Sequence, residues 1–319
     1  MKKHLLITGG SGFIGSNFIS YMLRNSNYYI TNLDSLTYAA NQVMIQEFEK
    51  SNRYHFINCD IAIEADLGKV FNQRYEAIIN FAAESHVDRS ISNAAPFIQT
   101  NIKGTFYLLQ AVLTGKAFKM IQISTDEVYG SLEPLDPPFK EVSPLAPNNP
   151  YSASKASADL LVRSFFKTHQ LPLIITRCSN NYGPMQHSEK LIPKTISLAQ
   201  KDKRIPLYGD GLNIRDWIYV EDHCKAIHLV LEKGVPGEIY NIGGTEEKTN
   251  LDIVEIILRN LKKDTGLIQF VNDRKGHDRR YAMDTSKIFR DLGWKPSVSF
   301  KEGIKKTIEW YLMRMDGRK

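Results

Sequence analysis

The chain has 319 residues, 42% of them hydrophobic and 24% charged, the balance of a soluble globular protein large enough for one deep core or two domains around a cleft. That balance excludes intrinsic disorder and collagen-like repeats, and a mean hydropathy of -0.31 with no apolar run near the roughly 18 residues of a membrane span leaves no transmembrane candidate. The net charge of +6 arises from Lys and Arg scattered among acids rather than gathered in a stripe, which fits a small anionic ligand and argues against nucleic acid.

In chain order, His4 to Thr8 reads as a strand, and Gly9-Gly10-Ser11-Gly12-Phe13-Ile14-Gly15 follows it directly, opening a helix over Ile14 to Asn25. This string satisfies both Gly-x-Gly-x-x-Gly and Gly-x-x-Gly-x-x-Gly in the strand-turn-helix setting that gives the motif its meaning. Glycine permits the tight turn and close backbone approach, while free N–H groups and the positive helix end bind a pyrophosphate. A second strand, Tyr29 to Leu33, ends at Asp34. A carboxylate there accepts from an adenosine ribose 2′-hydroxyl and repels a 2′-phosphate, favouring NAD over NADP. After a third strand, His55 to Asn58, Asp60 either holds the adenine edge or caps a helix.

Further strands are expected at Ala77 to Phe81, Met120 to Ser124, Leu173 to Cys178 and Glu238 to Ile242, with helices over Pro96 to Thr114 and Tyr151 to His169. Apolar residues in the helical segments recur with a spacing near 3.6. The alternation predicts an α/β fold, a doubly wound parallel sheet of Rossmann type whose strand ends line a ligand crevice. Prolines at 134, 137, 138, 144, 147 and 150 mark Glu133 to Pro150 as a surface loop. Beyond residue 179 the composition shifts toward Pro, Gly and charge, which indicates a smaller second lobe, whereas Trp217 to Gly243 again reads helix then strand. The expected division is 1–179 and 217–243 for the dinucleotide domain, and 180–216 and 244–319 for the substrate lobe.

Tyr151 and Lys155 lie four apart, hence on one helix face. A phenol with a reference pKa near 10 is a poor base, but a nearby ammonium and a cationic nicotinamide lower that value. Tyr151 is then placed to take a hydroxyl proton. Asp126 and Glu127 follow the Met120 to Ser124 strand. They are either a solvated surface pair or the acid and base that removal of water demands. Cys59, Cys178 and Cys224 lack CxxC spacing, and His86, His187 and His277 lack ligand spacing, so no metal site is expected. The cysteines and the lack of a signal-peptide pattern before Leu5 suit a cytoplasmic location.

These residues closely resemble the extended short-chain dehydrogenase/reductases and, among them, the dTDP-glucose 4,6-dehydratases. The resemblance runs through the glycine loop, Phe81-Ala82-Ala83-Glu84-Ser85-His86-Val87-Asp88-Arg89, Ser124-Thr125-Asp126-Glu127-Val128-Tyr129-Gly130, Tyr151 with Lys155, Arg177 to Pro184, Glu189-Lys190-Leu191-Ile192-Pro193, Arg215-Asp216-Trp217 and Gly276 to Ala282. The Thr-Asp-Glu triplet discriminates it from sugar-nucleotide 4-epimerases, the nearest alternative; a non-catalytic NAD-sensing module is a more distant one.

The resemblance implies NAD held by Gly9, Gly12, Phe13, Ile14, Gly15, Asp34, Ser35, Thr37, Asp60, Ile61, Ala82, Ala83, Thr100, Ser124, Tyr151, Lys155 and Cys178. It implies a sugar nucleotide held by Ser85, Thr125, Asn180, Lys190, Leu191, Arg215, Asn250, Arg274, His277 and Tyr281. A diphosphate suits Arg forks and amide donors; surface ion pairs are the alternative for Arg215 and Arg274. In the implied reaction Tyr151 takes the 4-hydroxyl proton as carbon 4 gives hydride to NAD, with Thr125 bonded to the new ketone oxygen. Glu127 then removes the carbon 5 proton while Asp126 protonates the departing 6-hydroxyl, and hydride returns to carbon 6. The run Gly183 to Ser188 and Lys275 depart from the family's usual wording; the resemblance implies dTDP-glucose as substrate and dTDP-4-keto-6-deoxyglucose as product, with a uridine sugar nucleotide as the alternative. A homodimer through helices near 96–114 and 151–169 is expected by analogy.

Overall fold

The computed structural model describes residues 3–244 and 246–315. Its strands in chain order are β1 His4–Thr8, β2 Tyr29–Asp34, β3 Tyr54–Asn58, β4 Ala77–Asn80, β5 Met120–Thr125, β6 Leu173–Cys178, β7 Asn180–Tyr182, β8 Ile205–Tyr208, β9 Ile214–Tyr219, β10 Ile239–Ile242, β11 Glu247–Thr249 and β12 Ile268–Val271. A seven-stranded sheet in the order β10-β6-β5-β4-β1-β2-β3 forms the centre. Every pairing in it is parallel, the doubly wound layout that the alternation of elements predicts.

Near-continuous apolar runs make β4, β5 and β6, because strands covered on both faces have no solvent side to serve. All residues of these three strands are buried. Alternation divides β1 between two cores. Leu5 and Ile7 meet Phe18, Ile19 and Met22 of the helix Phe13–Asn25 and Ile227 and Val230 of the helix Val220–Lys233. Leu6 meets Leu108, Leu109 and Val112 of the helix Thr105–Leu113 and Val162 of the helix Pro150–His169.

The strand order reverses between β1 and β4, and the ligand crevice of such a sheet lies at that point. Gly9, just past β1, has φ +67°, and a Cβ there would stand 2.5 Å from the Ala82 backbone nitrogen just past β4. Only glycine lets the two strand ends approach so closely.

The helix expected over Pro96 to Thr114 is interrupted. Ile98–Gly104 is a π-helix between Ala95–Phe97 and Thr105–Leu113. The wider turn aims Asn101 inward, where Nδ2 donates to Glu84 O at 3.0 Å and Ser154 Oγ at 2.8 Å, and Oδ1 accepts from Glu84 N at 2.9 Å. Periodicity alone carries no sign of this insertion, a kind that recurs at functional sites.

The second lobe holds a three-stranded sheet β11-β9-β7 and a parallel pair β12-β8, covered by the helices Leu191–Gln200, Asn250–Leu261 and Phe300–Met315. Two differences from the sequence expectation stand out. Trp217 to Tyr219 complete β9 before the helix Val220–Lys233 begins, and the helix Ser286–Leu292 packs Ile288, with Trp294, into the core of the first lobe. The Pro-rich segment is not wholly superficial either. Phe139 is buried and stacks on Tyr129 at 4.9 Å, and its amide donates to Ala282 O at 2.9 Å, so the segment straps one lobe to the other. Among the described residues no helix is long and apolar enough to cross a membrane, and no cluster of His, Cys, Asp and Glu has the makings of a metal site.

Candidate active site

A cavity of about 540 Å³ opens at the carboxyl ends of the central strands. All the residues expected against the cofactor line it, from Gly9 through Asp34 and Ala82 to Tyr151, Lys155 and Cys178. The Asp34 carboxylate, expected as a ribose acceptor, also has a structural part. Oδ2 takes the Ser11 amide and Oδ1 the Leu36 amide, each at 2.9 Å, so the same side chain fastens the glycine loop to the turn after β2. Burial raises its pKa, and these two amides oppose the rise. Asp60 also lines the cavity, and its Oδ1 accepts from Ala62 N at 2.8 Å. The following helix Glu64–Val70 has Ile63 as its N-cap, so Asp60 closes a turn and the helix-cap alternative falls. The bare backbone of the loop and its opening onto a helix fit a dinucleotide pyrophosphate, since a Cβ at Gly15 would collide with Gly9 O.

Tyr151 reaches the cavity because its helix starts where it does. Asn149 caps Pro150–His169: Ser152 N donates to Asn149 Oδ1 at 2.9 Å, Asn149 N donates to Ser152 Oγ at 3.2 Å, and Pro150 occupies the first turn. One turn on, Lys155 Nζ donates to Ile123 O at 2.6 Å. Burial lowers the ammonium pKa, and Asp159 raises it. The Tyr151 phenol stands well above its ordinary value, first through burial and then through the Glu127 carboxylate; the Thr125 hydroxyl pulls the other way. In this arrangement the lowering expected from Lys155 is absent, since the ammonium is directed to the strand. Behind it Arg177 Nε meets Asp159 Oδ2 at 2.9 Å, both buried.

Asp126 and Glu127 lie on the 3-10 turn Asp126–Tyr129 capped by Thr125. Both line the cavity, so the surface-pair alternative is excluded. Their environments differ. Burial and then the Glu127 charge push the Asp126 carboxyl well above the usual carboxylate range, towards its acid form. Burial also raises Glu127, but Arg274, Arg215 and Lys190 act against it. Adjacent carboxyls thus sit in unequal fields, the arrangement that separates an acid from a base.

Of the residues expected against the substrate, Ser85, Thr125, Asn180 and Lys190 line the cavity, and Lys190 Nζ donates to Ser85 O at 3.2 Å. The remaining ones sit in the second lobe outside its lining. Arg215 donates to Ile214 O at 2.7 Å and Asp278 O at 2.9 Å and covers the Tyr281 ring at 4.3 Å. Arg274 lies 3.8 Å from Asp88 Oδ1. The ion-pair alternative therefore describes Arg274, although its Nε is buried without a partner, and does not describe Arg215. His277 Nδ1 lies 2.6 Å from Asp273 Oδ1, and burial together with Arg274 pushes its pKa down to about 4. Tyr281 OH donates to Asp278 Oδ2. Leu191 packs into the second-lobe core, and Asn250 starts a helix with its amide on Asn213 O at 3.0 Å.

Sequence reasoning overlooked three residues. Glu189 lines the cavity and gathers Tyr38 OH at 3.1 Å, His86 Nε2 at 3.3 Å and Arg89 at 3.6 Å; its place beside Lys190 was the available signal. Asp216 is buried behind Asp126, with Oδ2 accepting from Gly244 N at 3.0 Å, and its pKa is pushed up to about 7 by burial. Asn101 is the third, hidden by the π-helix.

Comparison with known proteins agrees with this geometry. Residues 6–307 match the family model described as GDP-mannose 4,6 dehydratase. The dTDP-glucose 4,6-dehydratase of Neisseria gonorrhoeae is 49% identical, over 98% of this chain and 96% of that protein. The crystal structure of the dTDP-glucose 4,6-dehydratase of Streptomyces venezuelae, with NAD and a nucleotide bound, superposes with a TM-score of 0.95 at 44% identity over 98% of each chain. That of the Bacillus anthracis enzyme in complex with NAD superposes with a TM-score of 0.92 at 46% identity, again over 98% of each.

Proposed function

The chain belongs to the GDP-mannose 4,6 dehydratase family, and from that membership we propose that it converts dTDP-glucose to dTDP-4-keto-6-deoxyglucose and water. It is a NAD-dependent hydro-lyase. The relatives that act on dTDP-glucose favour thymidine as the base.

One observation carries the reading: two adjacent carboxyls line the cavity, one pushed towards its acid form by burial and the other offset by three cations. An alcohol oxidation or an epimerisation needs one base, whereas elimination needs an acid on the leaving hydroxyl and a base on the neighbouring carbon. NAD, when bound, supplies the two-electron chemistry, taking hydride from the sugar and giving it back. Tyr151 removes the 4-hydroxyl proton, and Thr125 hydrogen-bonds the oxygen left behind. Glu127 takes the proton from carbon 5, acidified by the ketone beside it. Asp126 protonates the 6-hydroxyl as it leaves. The diphosphate is gripped from the second lobe by Arg215 and Arg274, with Lys190, Asn180 and Ser85 nearer the sugar, and Leu191, Asn250, His277 and Tyr281 shape the nucleotide end.

The same reading includes a homodimer. Ile98, Phe106 and Leu113 on one segment and Leu160 on the helix Pro150–His169 are exposed apolar residues on neighbouring helices, a face suited to a second copy of this chain. It also includes a cytoplasmic location, in keeping with three free cysteines. The division into dinucleotide domain and substrate lobe is that of the sequence, with 286–294 packed on the first.

The test is parallel incubation with dTDP-glucose and UDP-glucose, followed by mass spectrometry. Loss of one water from the thymidine substrate is expected. No loss from either would sink the assignment, and loss from the uridine substrate alone would change the base.

A further inference from the structure

One carboxylate of the second lobe gathers side chains from both flanks of the glycine loop. β2 and β4 stand on either side of β1 in the central sheet. The segments that follow all three line the same cavity, with Gly9 after β1, Thr37 and Ala39 after β2, and Ser85 after β4. The loop after β2 is fastened at both ends, by Leu36 N on Asp34 Oδ1 at 2.9 Å and by Asn41 N on Ser11 O at 2.7 Å. Between these anchors Tyr38, 40% exposed, reaches to the second lobe, where its hydroxyl donates to Glu189 Oε1 at 3.1 Å.

Glu189 itself lines the cavity. From the segment after β4, His86 Nε2 lies 3.3 Å and Arg89 Nη2 3.6 Å from its Oε2. His187 Nδ1 lies 3.5 Å from Oε1. The Arg89 guanidinium covers the Tyr38 ring at 3.6 Å, and the His187 ring meets it edge-on at 5.4 Å. A phenol donating to a charged carboxylate makes one of the stronger hydrogen bonds, and an arginine over an aromatic face adds to it. Tyr38 is outside the cavity lining, although both of its neighbours belong to it. Its contact with Glu189 therefore joins two walls of the cavity from the outer side.

We propose that Tyr38, acting through Glu189, retains NAD in the site from one turnover to the next. The residues expected on the adenosine half of the dinucleotide, Asp34, Ser35 and Thr37, directly precede Tyr38 in the chain. With the bond made, that loop is held to the second lobe and the dinucleotide cannot leave past it. Exchange of NAD needs the bond to open; exchange of the sugar nucleotide, expected against the second lobe, does not. Tyr38 is thus a positioning residue that touches neither reactant. The proposal goes beyond the dehydratase reading and rests on it only for NAD as the cofactor.

The test follows release of the cofactor rather than turnover. Holoenzyme loaded with radiolabelled NAD is chased with excess unlabelled NAD in wild type, Tyr38→Phe, Glu189→Ala and the double variant. Phenylalanine keeps the ring against Arg89 and His187 and removes the hydroxyl alone. Label should leave Tyr38→Phe about three- to tenfold faster than wild type. With NAD saturating, kcat and KM for dTDP-glucose should stay at their wild-type values in Tyr38→Phe. Glu189→Ala should also release label faster, and adding Tyr38→Phe to it should bring no further acceleration. Release from Tyr38→Phe at the wild-type rate, equal acceleration by Tyr38→Phe in both backgrounds, or a fall in its kcat at saturating NAD would overturn the proposal. Wild type that holds no labelled NAD defeats the cofactor assignment and the retention with it. Wild type that holds NAD but forms no 4-keto product defeats the dehydratase reading and leaves the retention to stand on its release rates.

Discussion

Lys155 Nζ rests 2.6 Å from the carbonyl oxygen of Ile123, two residues before Thr125. This contact joins the helix that carries Tyr151 to the strand that carries the acidic turn, so the base and the acid hold their separation through the scaffold rather than through each other.

Lys155→Met therefore removes both a tether and a charge. The Ile123 carbonyl, left buried without its donor, costs about 1–3 kcal/mol of stability. Because the ammonium is directed to the strand and does not lower the Tyr151 phenol, the ascending limb of kcat/KM should keep its place. A pH-rate profile checks this, and a limb moved to higher pH would show that the charge acts on the phenol.

Glu127→Gln should split the reaction. The Glu127 charge is the second cause holding the Tyr151 phenol high, so its removal eases proton abstraction from the 4-hydroxyl. The reduced-cofactor absorbance should still develop, with its ascending limb at lower pH, while water loss falls about 10²–10⁴-fold. Unchanged product formation would falsify the role given to this carboxylate.

Asp216 makes stability depend on pH. Its folded-state pKa of about 7 lies above the roughly 3.9 of an unfolded chain. The folded protein therefore keeps a proton that the unfolded chain releases. The resulting stabilisation is complete below about pH 4 and is lost as pH rises through 7, a change of roughly 4 kcal/mol. Asp216→Asn retains an acceptor for Gly244 N–H but cannot ionise. Melting temperatures at pH 5 and pH 8 should converge in the variant relative to wild type; an equal drop in both would remove Asp216 as the cause.

Asp159→Asn should strand the buried Arg177 guanidinium, whose Nε now meets the carboxylate at 2.9 Å. Breaking such a pair from one side costs about 3–5 kcal/mol. Urea unfolding reads the loss as a lower midpoint. Asp159 is not part of the cavity lining, so the KM of the folded fraction should stay at the wild-type value.

The exposed apolar face predicts its own disruption. Phe106→Glu together with Leu160→Glu should convert a dimer into a monomer by light scattering, with the far-ultraviolet circular dichroism retained. A wild-type protein that is already monomeric would dispose of the dimer.

Much of this molecule was legible in the residues themselves. The apolar runs Leu5 to Ile7, Ile78 to Ile79 and Ile174 to Ile175 can satisfy themselves only between two layers of helix, and Gly9 to Gly15 can serve only where backbone crowds backbone. The chemistry of Thr125, Asp126, Glu127, Tyr151 and Lys155 is likewise carried by adjacency and helical spacing, which are local properties of a chain. The three-residue strands β7 and β11 were not legible, because each is defined by its pairing with β9 rather than by its own pattern. Nor was the difference between Asp126 and Glu127, since the cations that separate them, Lys190, Arg215 and Arg274, come from distant segments. Nor was the contact of Lys155 Nζ with Ile123 O, which directs the ammonium to the strand. Covalent order specifies which groups are present and how neighbours are spaced; burial, electric field and hydrogen-bond geometry act through space, and only the folded chain brings their sources within range.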